Sequence, residues 1–498
     1  MTSTAHPRLT PFAAGPIAII AAAVATVLTA LSGRYGFHRD ELYFLAAADR
    51  LDFGYVDQPP LTPLLAKVSV TLFGETPMGL RVVATLAYVG VIVLVALIAR
   101  ELGAARGGQT LAAAGTSIAG FGLGAAHMVS TATFDLVAWL ALTWILLRIM
   151  RGGDPRWWPA AGAVTGVAVL NKYLIALLVV ALLVGWLIAG PRGRLATWWL
   201  PAGIAVAILI AAPNVWWQAA NGWPQLTVAA GISADDGLSN RLMFLPEQVI
   251  YLSPVLVPIW LAGWWRLWRN DELRWARSIA IAYPVLSGLV LLLGGKGYYV
   301  LALLLVLFAA GVVPAMAWLK RNPAANRRDL GIGLALGGIG TALISLPALP
   351  ASALDIPNAI NREQGEQVGW PELTAAVAAG WQTIEPADRS TAVILTANYG
   401  QAGAIEHYGP DFGLPAPYSG HMSYADWGPP PDSFTGPVLL IQHAGSDGLT
   451  SHFHGCEVVA TVDNGHGVDN QEQHAEVVRC DGPPAPWSQL WPELRHYY

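Results

Sequence analysis

The apolar positions of this chain come in blocks. From residue 11 onward, apolar runs at about 11–32, 82–100, 109–128, 133–150, 157–170, 173–190, 196–213, 242–264, 278–293, 299–318 and 330–348 alternate with short polar turns. A helix needs roughly 20 apolar residues to cross a hydrocarbon core, and every run except 157–170 comes close to that. Roughly eleven crossings are therefore expected. Two stretches depart from the pattern. Residues 33–81 contain LTPLLAKVSVTLFG, amphipathic but too interrupted to span, and beyond Pro350 the chain turns polar with many Gly, Pro and His.

The tail has a different period. TAVILTANY and GPVLLIQHAG read as buried strands with a short helix, AGAIEHYG, between them, and CEVVATV and AEVVRC read as a strand pair. The expected fold is a polytopic α-helical membrane protein of about 11 transmembrane helices over residues 1–349, with a juxtamembrane loop at 33–81, followed by an α/β domain at 350–498. Cys456 and Cys480 fall at the ends of the last strand pair, so they are expected to pair if the tail lies in an oxidising compartment.

Charge then sets the orientation. Arg100 and Arg106, then Arg148, Arg151 and Arg156, then Arg192 and Arg194, then Arg266, Arg269, Arg274 and Arg277, then Lys320, Arg321, Arg327 and Arg328 all fall on alternate turns. With the N-terminus inside, every one of those turns is cytoplasmic. Reading residues 157–190 as one helix would reverse the later turns, and at 1.5 Å per residue that helix would be about 50 Å long against a core of about 30 Å. A tight helical hairpin with Asn171, Lys172 and Tyr173 at its tip is expected instead. The 33–81 loop and the tail are then extracytoplasmic. Arg far exceeds Lys and Ala, Gly and Pro abound, a composition of high-GC bacteria, so the location expected is a bacterial plasma membrane. A net charge of -5 without a basic tract makes nucleic acid a poor partner.

Only 12% of residues are charged, which makes the segment His38–Pro63, HRDELYFLAAADRLDFGYVDQPPLTP, conspicuous. It carries Asp40, Glu41, Asp49, Asp52 and Asp57; Asp49 and Asp52 are read as a solvated face. Asp40 and Glu41 open a helix whose N-terminal dipole favours an ionised carboxylate able to take a proton, although Asp40 on spacing alone is equally a plain N-cap. The two prolines of DQPPL hold Asp57 and Gln58 in a fixed pose. The chain has four lysines, and Lys67, Lys172 and Lys296 all fall on the outer side, against the usual bias of basic residues. With Arg241, Asp135, Tyr298 and Tyr299 they form a group suited to binding a phosphate beside a carboxylate; snorkelling lysines and solvated acids are the plainer alternative. Neither GKG nor NKY fits a phosphate-binding P-loop, and no HExxH or CxxC metal motif occurs.

DELYFLAAA at 40–48, DQPPLTPLLA at 57–66, LNKY at 170–173 and GKGYYVLAL at 296–303 together resemble membrane-embedded GT-C glycosyltransferases of the family 39/83 type, which include protein mannosyltransferases and aminoarabinose transferases. The resemblance covers most of residues 10–350. It implies transfer of a sugar from a polyprenyl-phosphate carrier to a lipid, glycan or protein acceptor on the outer face, with inversion. Asp40 would be the base with Glu41 in support; Lys296, Tyr298, Tyr299, Arg241 and Lys172 would hold the donor phosphate; Asp57 would be a ligand for a divalent metal ion. No nucleotide cofactor is expected, because the cytoplasmic turns are too short for a nucleotide-sugar domain. Gln58 stands where aminoarabinose-transferase relatives have Lys, which argues against that particular substrate. A transporter or flippase of a polyprenyl-linked or anionic substrate is the competing reading; it predicts an internal repeat, and none is visible.

Overall fold

The computed structural model describes residues 9–446 and 448–497, and each expected apolar run lies in helix. The chain begins with α1 (Ala14–Leu31), then two short helices, α2 (Arg39–Ala48) and α3 (Leu61–Phe73). The bundle continues through α4 (Pro77–Glu101), α5 (Arg106–Thr116), α6 (Gly120–His127), α7 (Thr131–Arg151), α8 (Trp157–Val169), α9 (Ile175–Ala189) and α10 (Trp199–Ala220). It closes with α11 (Pro224–Asp235), α12 (Gly237–Leu252), α13 (Val257–Arg269), α14 (Arg277–Leu293), α15 (Leu301–Arg321) and α16 (Pro323–Ser345).

Among the described residues, six helical segments are long and apolar enough to cross a membrane, and a seventh appears if the bent α12–α13 pair is one span. The remaining expected runs depart from straight spans for local reasons. The 242–264 run bends by 86° where α12 meets the turn at Ser253 and Pro254. Pro254 has no amide hydrogen to donate, and Ser253 takes φ 100°, so the helical ladder cannot pass through. The 109–128 run divides into α5 and α6, separated by residues 117–119.

Residues 157–190 form two helices as expected, but the arms do not zip together. α8 packs on α10 and α9 packs on α14. Glycine decides the first pairing: a β-carbon on Gly162 would overlap the Gly203 carbonyl oxygen, so these backbones touch. Lipid tails are as apolar as side chains, and helices therefore associate through such close backbone contacts.

The tail contains α17 (Asp355–Ile360), α18 (Trp370–Gln382), β1 (Val393–Thr396), α19 (Tyr399–Tyr408), β2 (Tyr418–Ser419), α20 (Met422–Asp426), β3 (Val438–Gln442), β4 (Glu457–Thr461), β5 (Glu476–Cys480) and α21 (Trp487–Leu494). The sheet order is β2-β1-β3-β5-β4. β1 pairs in parallel with both β2 and β3, and β5 runs antiparallel to β3 and β4. β1 and β3 are buried at every position, which is why they read as unbroken apolar runs. Cys456 and Cys480 are bonded. They are 24 residues apart, and closing a loop of that size contributes about 3 kcal/mol.

One side of the sheet has a core of tail residues alone, with Leu395, Leu440 and Val478 packed against Trp487 and Trp491; the other side shares its core with the bundle. Leu373, Ile394 and Leu439 from the tail pack in one cluster with Phe37, Leu42, Leu80 and Ala84 from the segment around α2 and the start of α4. α19 lies directly on α2, with Gly403 against the Leu42 backbone. The sheet is thereby held with the carboxyl end of β1 close to the acidic segment.

Candidate active site at the junction of bundle and tail

Glu41 anchors the acidic segment. It is fully buried, and Arg81, also buried, donates to both of its oxygens, from Nε at 2.9 Å and from Nη2 at 2.6 Å. The same carboxylate accepts the amides of His38 at 2.8 Å and Val129 at 2.9 Å. Arg81 also donates to the carbonyls of Ser32 and Gly36 and to the Gln367 side chain. Two ions this deep persist only when such hydrogen bonds replace water. Glu41 has no open oxygen to offer a substrate.

Asp40 is different. His38, not Asp40, caps α2: its Nδ1 accepts the Asp40 amide at 3.1 Å, and Glu41 completes a capping box. The Asp40 carboxylate is thus released from a capping role, and its side chain keeps 34% of its surface exposed. Tyr399, at the start of α19 in the tail, donates its hydroxyl to Asp40 Oδ1 at 2.8 Å. Because His38 Nδ1 accepts an amide, the proton sits on Nε2 and is donated to Glu363 at 2.9 Å. Partial desolvation raises the Glu363 carboxyl, but the hydrogen bond from His38 and the charges of Arg39 and Lys296 outweigh it and hold the group well below the usual carboxylate range.

Asp57 lies beside this pair. Tyr43, one turn after Asp40 on α2, donates to Asp57 Oδ1 at 2.7 Å, and its ring lies 4.8 Å from that of Tyr399. Both the Asp40 charge and the Lys172 ammonium act on Asp57. Burial pushes the Asp57 carboxyl up to about 6, against the opposing pull of the Tyr43 hydrogen bond and Lys172. Lys172 Nζ is 3.4 Å from the Tyr298 hydroxyl and 5.1 Å from the Tyr299 ring centre. Asn171 donates to Asp135 at 2.8 Å and joins Thr62, fixing the turn that carries Lys172.

The other expected residues stand apart from this centre. Arg241 donates to the carbonyls of Leu291 and Leu292, which places it as a cap on the C-terminal end of α14. Lys296 is exposed, with Glu247 and Glu363 in electrostatic reach. Lys67 pairs with Asp49 at 2.7 Å on the surface, and Asp52 accepts from the Trp217 indole at 2.8 Å, so Asp52 latches the loop to α10 and is not a purely solvated acid. Gln58 is buried, with Nε2 unpaired.

Among the described residues no group of three or more His, Cys, Asp or Glu side chains is arranged to hold a metal ion. Asp57 offers one carboxylate, shared with a tyrosine hydroxyl and facing a lysine. That donor set does not fit a metal held by the protein alone.

Four contributors were not singled out from the sequence. Arg81 carried a readable signal, since it is another cation on the side where arginines are scarce. Tyr43 follows Asp40 by three residues and shares its helix face. Tyr399 and Glu363 carried none, because they reach the site only through the docking of the tail.

Residues 57–217 match the sequence model of the dolichyl-phosphate-mannose-protein mannosyltransferase family. That span holds Asp57, Gln58, Asp135 and Lys172 and leaves out Asp40 and Lys296. No curated protein matches the chain in sequence. In three dimensions the chain is similar to the crystal structure of ArnT from Cupriavidus metallidurans bound to undecaprenyl phosphate, with a TM-score of 0.62 and 17% identity over 93% of this chain and 97% of that one. For ArnT from the same organism in the apo state the TM-score is 0.59, with 15% identity over 94% and 98% of the two chains. The protein therefore has the GT-C fold, a helical membrane bundle followed by a small sheet domain. DQPPL lies within the family match and DELYF outside it, while the GT-C fold of the resemblance extends over nearly all of the chain.

Two expectations follow from this geometry. Glu41→Gln strands the Arg81 charge and is expected to cost about 3–5 kcal/mol, whereas Asp40→Asn, at a half-exposed position, is expected to cost under about 1 kcal/mol. Thermal unfolding of the two variants, one at a buried ion pair and one at a carboxylate with 34% of its surface exposed, measures this, and equal losses would contradict it. The Asp57 carboxyl titrates near 3.8 unfolded and at about 6 folded, so folding takes up a proton in that window. Its contribution to stability is favourable below about pH 4 and falls as pH rises through about 6. The unfolding midpoint of Asp57→Asn should therefore gain on the wild type as pH rises from about 4 to about 7; parallel curves would contradict the assignment.

Proposed function

We propose that the protein is a membrane glycosyltransferase that moves a sugar from a polyprenyl-phosphate carrier to an acceptor on the extracytoplasmic face of a bacterial plasma membrane. The observation that carries this reading is that Asp40, 34% exposed, and Asp57 are linked through the adjacent Tyr399 and Tyr43 rings, with the Lys172 ammonium near enough to act on Asp57. A site that removes a proton from a hydroxyl while a phosphate departs needs an accessible carboxylate and a cation within one cleft. The solved protein of matching fold holds undecaprenyl phosphate, and we carry that ligand class over to this chain.

Orientation rests on two supports. The turns flanked by Arg100 and Arg106, by Arg148, Arg151 and Arg156, and by Arg266, Arg269, Arg274 and Arg277 fall on alternate connections and are short, which supports a cytoplasmic side with no room for a nucleotide-sugar domain. The bonded Cys456 and Cys480 suit an oxidising compartment. The N-terminus is then cytoplasmic, and residues 350–498 are outside.

In the transfer step the acceptor hydroxyl oxygen forms its bond to the anomeric carbon as the bond from that carbon to the phosphate oxygen breaks. Asp40 takes the hydroxyl proton, and the polyprenyl phosphate leaves with the electron pair. Direct displacement inverts the anomeric configuration. Lys172 meets the departing phosphate, with Tyr298 and Tyr299 as hydroxyl donors beside it and Lys296 as a second cation at the rim. Arg241 contributes by holding the end of α14. Glu41 supports Asp40 by fixing α2, and Tyr399 orients its carboxylate. Gln58 leaves the phosphate to Lys172, where a lysine at 58 would share it. No step is routed through a metal.

Transfer from a synthetic polyprenyl-phosphate sugar by purified protein tests the reading. Asp40→Asn is expected to lower the rate by about 10²–10⁴-fold with donor affinity kept. Lys172→Ala is expected to weaken donor binding by about tenfold or more, the scale of one charge-assisted hydrogen bond. Full activity in Asp40→Asn would remove the base, and absence of turnover with every lipid donor would favour a transporter.

A further inference from the structure

The carboxyl ends of the parallel strands gather a polar group that the displacement step does not use. Asn398 follows β1, His421 follows β2 and His443 follows β3. β2 and β3 flank β1 on opposite sides, so the chain order reverses between β1 and β3. Beyond such a reversal the connecting segments diverge and leave a crevice at the strand ends, the usual ligand position in parallel sheets.

The side chains there converge. Asn398 donates to Glu472 at 2.9 Å and lies 3.5 Å from His443 Nε2, which is 3.7 Å from Glu472. Arg39, from α2, closes the group. It donates to Gln471 at 2.7 Å, approaches Glu366 at 4.0 Å and approaches Asp40 at 3.6 Å. His421 stacks on Tyr399, which in turn donates to Asp40. The rim is open, since the side chains of His443 and Arg39 keep 36% and 33% of their surface, while Glu472 at 7% forms the floor. Two atoms are buried with no hydrogen-bond partner among the described residues: the donor Arg39 Nε and the acceptor Glu366 Oε2. Their ion-pair neighbours, Asp40 at 3.6 Å and Arg39 at 4.0 Å, lie beyond hydrogen-bond distance, so both atoms keep capacity for a ligand that donates and accepts.

The charge of the group selects the ligand further. Asp40, Glu366 and Glu472 bring three carboxylates. Even with His443 protonated, only two cations face them, because burial and the neighbouring His496 hold His421 near 3 and therefore neutral. A phosphate or carboxylate would be repelled. Sugar hydroxyls, which are neutral and both donate and accept, match the set.

We propose that the crevice formed by Arg39, Asn398, His421, His443, Glu366 and Glu472 is the acceptor subsite, and that it receives a neutral glycan whose reacting hydroxyl reaches Asp40. The word acceptor rests on the glycosyltransferase reading, whereas the binding of a neutral sugar can be measured without it. Saturation-transfer NMR would use the full-length protein in lipid nanodiscs, because maltoside detergents carry the probe's own chemistry. The probes are methyl α-mannoside and methyl α-glucoside, with glucose 1-phosphate as the anionic control. We expect transfer to at least one glycoside, reduced severalfold in both His443→Ala and the isosteric Glu366→Gln, and none to glucose 1-phosphate. Absence of glycoside signal, equal signal in wild type and both variants, or signal from glucose 1-phosphate alone would overturn the proposal. Glu366→Gln keeps side-chain volume, so a folding failure of His443→Ala leaves the test in place. Glycoside binding that survives while no undecaprenyl-phosphate binding is detected would sink the transferase reading and leave this subsite standing.

Discussion

The buried pair of Arg81 and Glu41 is the constraint on which the site depends. An isolated ion at that depth would cost several kcal/mol, and the pair persists because each remaining hydrogen-bonding position is filled. Those partners come from five places: the end of α1 at Ser32, the loop at Gly36, the cap at His38, the turn at Val129 and the tail at Gln367. One ion pair thus ties α1, α2, α4, the α6–α7 turn and the tail to a common point. Low local dielectric strengthens these bonds together, so the loss of one weakens the rest.

From that point the geometry of α2 follows. With Glu41 turned inward and His38 capping the helix, Asp40 faces the junction between bundle and tail, and Tyr43 reaches Asp57 from the same side. The tail completes the arrangement through Tyr399 and the His38–Glu363 contact. Bundle and tail share one apolar cluster, so the proposed site is built jointly by both parts. Lys172 arrives from a third direction, at the meeting of α8 and α9, where Asn171 is fixed by Thr62 and Asp135. Three segments distant in sequence therefore supply the carboxylate, its orientation and the cation.

What the sequence made readable is what depends on near neighbours. The apolar blocks give the helices, the unbroken runs give β1 and β3, and Cys456 and Cys480 lie where the β4–β5 register puts them opposite each other. The helix beginning at Asp40 and Glu41 was legible, but the division of labour between those two acids was not. Glu41 is separated from Arg81 by 40 residues, and Tyr399 from Asp40 by 359, so neither contact has a local signature. The tight hairpin expected at Asn171–Tyr173 opened because glycine faces let α8 and α10 approach each other more closely than α8 and α9 do. The bend at Ser253–Pro254 was written in the sequence as a proline, and hydropathy alone passes over it.

The claim at the centre of this account is that Asp40 and Tyr399, one from each part of the molecule, act as a unit. Single-turnover transfer rates in a double-mutant cycle of Asp40→Asn and Tyr399→Phe measure it most directly. If the tyrosine acts only by orienting the carboxylate, Tyr399→Phe lowers the wild-type rate by roughly tenfold or more, and in the Asp40→Asn background it has almost no further effect. Losses that multiply, as for two independent residues, would contradict it.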